Sequence, residues 1–292
     1  MPSRLSSEVI ATANTTHDRH PDREICLDRA PGQGLCKLGL ARAGRDGTRF
    51  LLWGDSHAEM LAAWIGQSAR AAGRSGTFAG QIGCTPVASL RKTAGNGTCA
   101  GFTASVWSWL AKHREVELVI LAARWPRLVE GTPYRGESGT GIVFEWVGDP
   151  ARRPAGTDNA ALIEAGLAET VDRLVAEGRR VVLIGPVPEV GRHVPLDTAR
   201  RRLMGLPLAA DVTQAEFAAR AGRSEAILRR VAARSPQVRY LPLSDLFCAT
   251  GRCRTLGPDG LPLYVDDDHL RATTARTLLR PRLDTIWTGQ AP

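Results

Sequence analysis

Short apolar runs, each followed by a stretch with helical spacing, recur from one end of the chain to the other. Arg49 to Gly54 (RFLLWG) reads as a buried strand, and His57 to Ala72 places Met60, Leu61, Trp64 and Ile65 on one helical face. Thr77 to Ile82 predicts a second, weaker strand, Phe102 to Lys112 a helix, and Glu117 to Ala123 (ELVILAA) a strand. Ala160 to Ala176 has helical spacing at Leu162, Ile163, Leu167, Val171, Leu174 and Val175, ahead of a strand at Arg180 to Ile184. A helix over Glu216 to Ala233, a strand over Val238 to Leu241 and a closing helix over Thr273 to Trp287, interrupted at Pro281, complete the series.

Strands alternating with helices of this length predict right-handed crossovers and an α/β class. The expected form is a three-layer α/β/α sandwich around a mainly parallel sheet of flavodoxin-like type. Ligands in such sheets bind beyond the carboxyl ends of the strands, so the residues just after each strand are the ones to inspect. Two segments break the rhythm. Residues 1–24 are polar and show no hydrophobic period, which reads as a disordered linker or terminus ahead of one catalytic domain over 25–292. Residues 128–158 are rich in Gly, Pro and charge, and follow the central strand, so they are expected to form a flap or hairpin over the active end, or an inert surface insertion.

Composition narrows the function. No apolar run approaches the roughly 18–20 residues that span a bilayer, and the first 24 residues lack the apolar block of a signal peptide. A net charge of +8 raises the question of a nucleic-acid partner. Its distribution argues against one: only Lys37, Lys92 and Lys112 are lysines, and the arginines are scattered along predicted helices. A run such as Arg200, Arg201 and Arg202 suits an acidic glycan or lipid head group.

The six cysteines fall into three local pairs, Cys26 with Cys36, Cys84 with Cys99, and Cys248 with Cys253. There is no CxxC, no histidine stands at ligand spacing from a cysteine, and the intervening segments are rich in Gly and Pro, which favours disulfides over metal ligation. An oxidising compartment would follow; six reduced thiols buried in a cytosolic protein is the alternative.

Two motifs carry chemistry. Gly54-Asp55-Ser56-His57 lies directly after a strand and directly before a helix, so Ser56 would sit where free N–H groups and the helix dipole stabilise an oxyanion. Asp and Ser are also ordinary helix caps. Near the other end, Asp266-Asp267-Asp268-His269 precedes the last helix. A carboxylate three residues before a histidine can hold one imidazole nitrogen and leave the other free to deprotonate a serine. The acidic trio could instead hold a hard cation, but calcium takes six to eight oxygens and no second acidic cluster is evident, so neither a metal nor a cofactor is expected.

Together the motifs resemble the SGNH hydrolases, whose nucleophile lies in an early GDS block and whose Asp and His lie in a late DxxH block. The resemblance implies Ser56 as nucleophile, His269 as general base and Asp266 as the orienting acid; by their spacing Asp267 and Asp268 are expected to point elsewhere, to solvent or to backbone N–H groups at the start of the final helix. LLWGDSHAEML, GCTPV, ILAARW, IGPVPE, FCATGRC and YVDDDHL, with local cysteine pairs, are more closely similar to the SGNH domains fused behind acyltransferase-3 membrane domains in bacteria. That likeness implies acyl transfer, chiefly acetyl transfer, from an acyl donor to a glycan acceptor of the cell envelope. It also implies a periplasmic or other extracytoplasmic place and an acyltransferase-3 membrane domain as partner, in the same chain or another.

One block departs from the pattern. The wider family has an oxyanion-hole Asn after the central strand, where this chain has Ala122-Ala123-Arg124-Trp125. Loss of such a donor costs a factor of roughly a hundred or more unless another replaces it. The replacements expected here are the Ser56 and Gly83 N–H groups and the side chain of Arg124; a surface or salt-bridge role is the alternative for the arginine. Asp55, His57, Trp125 and Trp146 are the candidate substrate contacts, with a helix-start role for His57 and a core role for the tryptophans as alternatives. The expected function is thus serine-dependent acyl transfer through a seryl ester. A carbohydrate or lipid O-acetylesterase with the same residues, or a silent glycan-binding or docking domain, are the rivals.

Overall fold

The computed structural model describes residues 5–40, 49–94 and 98–288. Its elements, in chain order, begin with α1 (Ser7–Asn14), β1 (Cys36–Gly39), β2 (Phe50–Gly54), α2 (Ser56–Ala71) and β3 (Ser75–Gly80). They continue with α3 (Thr98–Lys112), β4 (Leu118–Ala122), α4 (Trp125–Glu130), α5 (Asn159–Ala176) and β5 (Arg180–Ile184). The last are α6 (Val194–Leu203), α7 (Gln214–Ala232), β6 (Val238–Leu241) and α8 (Arg280–Thr288).

The six strands form one sheet in the order β1-β3-β2-β4-β5-β6. All neighbouring pairs are parallel except β1 with β3, an antiparallel edge. Each face is covered because alternate side chains belong to different cores. Phe50 and Leu52 of β2 join a core with α2 and α8, whereas Leu51 and Trp53 join one with α3, α5 and α7. Such continuous apolar strands are what a sheet buried on both faces demands. The chain order reverses around β2, so the carboxyl ends of β2, β3 and β4 frame a crevice. At its floor, a Cβ on Gly54 would meet the Ala122 carbonyl oxygen at 1.7 Å, so only glycine fits between β2 and β4.

Three expectations need correction. Residues 5–24 are not a linker, and 1–4 lie outside the described residues. α1 buries Val9 and Thr12 against α6, where Arg202 bonds Thr12 Oγ1 and pairs with Glu8 at 3.1 Å. A helix of eight residues with so few apolar positions shows no legible period, and its docking supplies the stability that its sequence does not advertise. The second concerns 128–158, whose strand pairs outside the segment and not with itself as a hairpin would. Phe144–Trp146 pairs with Leu90–Lys92 as a two-stranded ribbon, and Asn159 at the head of α5 bonds the Leu128 and Ile142 carbonyls beneath it. The third is a small displacement of the break in the last helix. Pro281 has no N–H to offer Thr277, and the chain answers with a π turn over Ala275–Leu279 before α8 begins.

The cysteines pair as expected: Cys26 with Cys36, Cys84 with Cys99, and Cys248 with Cys253. These bonds fit an oxidising, extracytoplasmic setting. Among the described residues, no helix is long and apolar enough to cross a membrane.

Candidate active site

Ser56 is the first residue of α2, and Asp55 is its cap. The Asp55 carboxylate accepts the His57 N–H at 2.8 Å and the Arg124 N–H at 3.0 Å, so it ties the turn after β2 to the turn after β4. It is 2 % exposed. Asp55 is therefore a strut of the crevice and not the substrate contact expected of it.

The loop that carries the base is anchored from the neighbouring strand. Val190 and Val194, beyond β5, donate their N–H groups to the Asp267 and Asp266 carbonyls, and Val265 donates to the His269 carbonyl. So held, His269 places Nε2 2.8 Å from Ser56 Oγ, although 213 residues separate them in sequence. Its other nitrogen, Nδ1, lies 3.0 Å from Asp266 Oδ2 and 2.7 Å from Asp268 Oδ1. The three expected catalytic residues thus meet at the carboxyl edge of the sheet.

Two carboxylates share the imidazole, which the sequence reading did not expect. Asp266 is half-buried and well supplied: its oxygens also accept from the Asp268 and His269 amides and from Arg19 Nη2 at 3.0 Å. Asp268 is buried and faces inward, with Arg124 Nε at 2.6 Å and His57 Nε2 at 3.4 Å. Asp267 is half-buried, and among the described residues no bond joins its side chain to the imidazole. Asp268 turns inward because a buried guanidinium and two imidazoles await it there, a stronger claim than the backbone of the following helix can make.

These contacts set the charges. Burial alone would push the Asp268 carboxyl up, but His269 and His57 outweigh it and hold the group well below the usual range. Burial also opposes ionisation of Asp266, yet the hydrogen bond and charge of His269 bring it down to about 2. For His269, burial favours the neutral ring, and the charge of Asp268 with the hydrogen bonds of both carboxylates overrides it, so its pKa is raised. Asp267 has no such partner: burial and the two neighbouring carboxylates push it up to about 6.

Arg124 is no oxyanion donor. Its Nε lies 2.6 Å from both Glu189 and Asp268, and Nη1 and Nη2 grip Glu137 at 2.6 and 2.9 Å. Three carboxylates take up the guanidinium and, against burial, raise its pKa further. Glu189 is in turn bridged by Arg220 Nε at 2.5 Å. Through Glu137, the loop expected to be a flap is fastened to the acid behind the base. Sequence reasoning missed Glu137, Glu189, Arg220 and Arg19. Glu189 alone had a usable signal, since it stands shortly after β5, at the strand ends where sites form.

His57 is 4 % exposed and supports Asp268 from below, its ring 4.7 Å from that of His269. It does not offer substrate a surface. Trp125 is 1 % exposed and donates Nε1 to the Ile184 carbonyl, so it is core and not a sugar platform. Trp146 lies on the ribbon opposite Leu90 and bonds the Asp149 carbonyl. Gly83 occupies the loop after β3 with φ +64, a conformation natural to glycine, and its carbonyl is held by Lys92 Nζ. Gln81 N–H bonds the Gly54 carbonyl, which sets this loop beside the Ser56 turn, and Cys84–Cys99 pins it to α3.

His57, Asp268 and His269 bring ligand-type atoms within 4.8 Å of one another, as do the three aspartates. Yet Asp268 already meets the permanent charge of Arg124 at 2.6 Å, which opposes a second cation in the same place. The set suits proton transfer better than metal ligation.

Comparison with known proteins agrees with this architecture. The closely similar fold of the periplasmic domain of a lipopolysaccharide acetyltransferase from Salmonella ser. Paratyphi A superposes with a TM-score of 0.61 at 13% identity, over 96% of this chain and 97% of that one. A GDSL-like lipase from Bacteroides thetaiotaomicron is more distant, with a TM-score of 0.40, 13% identity, and coverage of 85% and 92%. A family two carbohydrate esterase from Cellvibrio japonicus has a TM-score of 0.37 at 12% identity, over 83% of this chain and 62% of that one. No curated protein matches in sequence. The profile of the family described as "SGNH domain (fused to AT3 domains)" matches residues 18–283. That match takes in both the turn that bears Ser56 and the loop that bears His269, and with it the chain belongs to the SGNH domains of the kind fused to AT3 domains, as an SGNH-type acyltransferase or esterase.

Proposed function

We propose that the chain transfers an acyl group, chiefly acetyl, to a hydroxyl of a cell-envelope carbohydrate through an ester on Ser56. The observation that carries this is the 2.8 Å approach of His269 Nε2 to Ser56 Oγ, with Nδ1 of the same ring on two carboxylates. His269 takes the Ser56 proton as Oγ attacks the acyl carbonyl; the N–H groups of Ser56 and Gly83 receive the oxyanion. The imidazolium then protonates the leaving group of the donor. In the second half His269 takes a proton from the acceptor hydroxyl, whose oxygen attacks the seryl ester, and Ser56 regains its proton. Water in the acceptor's place gives the esterase reaction. Asp266 orients the ring, Asp268 and Asp266 stabilise its charge, and Arg124 fixes Asp268.

The carbohydrate acceptor is supported by the likeness to the lipopolysaccharide acetyltransferase domain, and a membrane partner by the family's fusion to AT3 domains. The test is labelling with a serine-directed fluorophosphonate. The folded wild type should label and Ser56→Ala should not; an unlabelled wild type refutes the nucleophile. Adding sugar acceptors to an acetyl-ester assay should divert the product from acetate to acetylated sugar.

A further inference from the structure

A cleft of about 280 Å³ opens between the loop after β3, the Leu90–Lys92 ribbon strand, the start of α3 and α4. This is at the lower limit of small-molecule sites and suits a substituent or a single ring. Ile82 forms one lip and Ile142 another, with Lys92 and Arg127 between them. Its place is next to the reaction centre. Lys92 Nζ donates to the Gly83 carbonyl and feels the charge of Asp55, the residue before Ser56. Arg127 feels Arg124 and Glu137 from the other side.

Both cations are short of partners. Arg91, on the same ribbon strand, is satisfied by Glu145 at 2.5 Å. Among the described residues Lys92, by contrast, bonds only a carbonyl, and Arg127 Nη2 only the Thr140 carbonyl at 2.5 Å. Arg127 Nη1 is buried and has no partner among the described residues. A buried guanidinium donor left unpaired costs free energy that an incoming acceptor recovers. Burial, the larger cause, depresses the pKa of both groups, helped by Arg127 at Lys92 and by Arg124 and Arg220 at Arg127, so an anion placed between them would stabilise both charges. With its two planar donors the arginine suits an oxyanion group in particular.

We propose that this cleft is an anion subsite, in which Lys92 and Arg127 receive a carboxylate or phosphate carried by the saccharide acceptor. The assignment of the ligand to the acceptor rests on the acyl-transfer reading above; the affinity for an anion does not. The subsite would favour acidic sugars over neutral ones and would aim the acceptor's hydroxyls at the seryl ester from the Gly83 side.

The test is an amide NMR titration of the full chain carrying Ser56→Ala, at fixed ionic strength, with glucuronate, glucose 6-phosphate and glucose. Saturable shifts at Ile82, Lys92 and Ile142 with either anionic sugar, and none with glucose, are expected; which anion responds identifies the group. Arg127→Gln should weaken that binding about tenfold or more, as loss of a charge-assisted contact does. Ile82→Glu, at an exposed lip where folding is not at stake, should weaken it by placing a like charge at the entrance. Equal binding of glucose, no saturable shift, or affinity undiminished in Ile82→Glu would overturn the subsite. If the wild type labels at Ser56 but the anions do not bind, the subsite alone fails; if the anions bind and Ser56 does not label, the acyl-transfer reading alone fails.

Discussion

Arg124 Nε lies 2.6 Å from Asp268 Oδ2, and Asp268 Oδ1 lies 2.7 Å from His269 Nδ1. The family's usual Asn position is thereby converted from a donor that faces substrate into a support that faces the acid. The proposed oxyanion contacts then fall to backbone groups, and the guanidinium spends its charge on fixing the residue behind the base.

This arrangement separates the three aspartates by role. Asp266→Asn and Asp268→Asn should each lower turnover by about 100-fold or more, because each leaves the imidazole less well oriented and its cation less stabilised. Asp267→Asn should leave turnover within a few-fold of wild type. Asp268→Asn should also cost the most stability of the three, about 3–5 kcal/mol, since it removes one partner from a buried ionic cluster. Denaturant unfolding beside steady-state kinetics on the three variants separates the effects; a normal turnover in Asp268→Asn would contradict the shared role.

The pH profile follows from the same contacts. A base must lose its proton before it can accept one, and the two carboxylates hold the His269 proton more tightly than in a free imidazole. The kcat/KM for an acetyl ester should therefore rise with pH along a limb whose apparent pKa lies above the ordinary histidine value. Asp268→Asn should move that limb to lower pH even as it lowers the plateau. A limb unmoved by the substitution would show that Asp268 does not act on the ring.

Asp267 gives a stability prediction of opposite sign to the ordinary carboxylate. Its folded pKa, about 6, exceeds the unfolded value, so the fold binds the proton more tightly and is destabilised as pH rises through that range. Asp267→Asn should raise the melting temperature at pH 7–8 and give no advantage near pH 4. Allowing for its partial exposure, the gain should be about 1 kcal/mol, or about 2–4 °C for a chain of this size. Calorimetry at the two pH values checks both sign and window.

Cys84–Cys99 spans 15 positions and carries the loop of Gly83 and Lys92. Replacing both cysteines by serine should cost about 3 kcal/mol through the freed loop. Turnover should fall more than in the matching Cys26–Cys36 pair of substitutions, because the loop freed is the one beside Ser56. Unfolding and ester hydrolysis measured on both double variants test this.

The sheet was legible because strands buried on both faces leave continuous apolar runs such as Phe50–Trp53 and Leu118–Ala122, and the helices between them carry a clear period. Arg180–Ile184 and Val238–Leu241 fall where that pattern puts them. The edge strand Cys36–Gly39 and α1 were not legible, since each is short and is stabilised by what it docks on. At the site, Ser56 and His269 could be read from their places at the ends of elements. The role of Asp268 could not, because in sequence three adjacent aspartates are equivalent, and what distinguishes them is a guanidinium from the turn after β4 and an imidazole from the start of α2. Arg124 was misjudged for the same reason: its partners Glu137 and Glu189 lie in a loop and beyond another strand.

Arg19, from the stretch that sequence alone would discard, donates to Asp266 at 3.0 Å, while Asp18 beside it binds Arg271 at 2.9 Å and accepts the Ala272 amide. The N-terminal segment thus closes the catalytic loop like a clasp from outside. Trimming the chain back to the first disulfide would leave the sheet, Ser56 and His269 in the sequence while releasing the acid from its outer brace. A shortened protein of that kind would be a poor measure of the enzyme, since a loss of activity in it would report a loosened clasp and not the absence of a nucleophile.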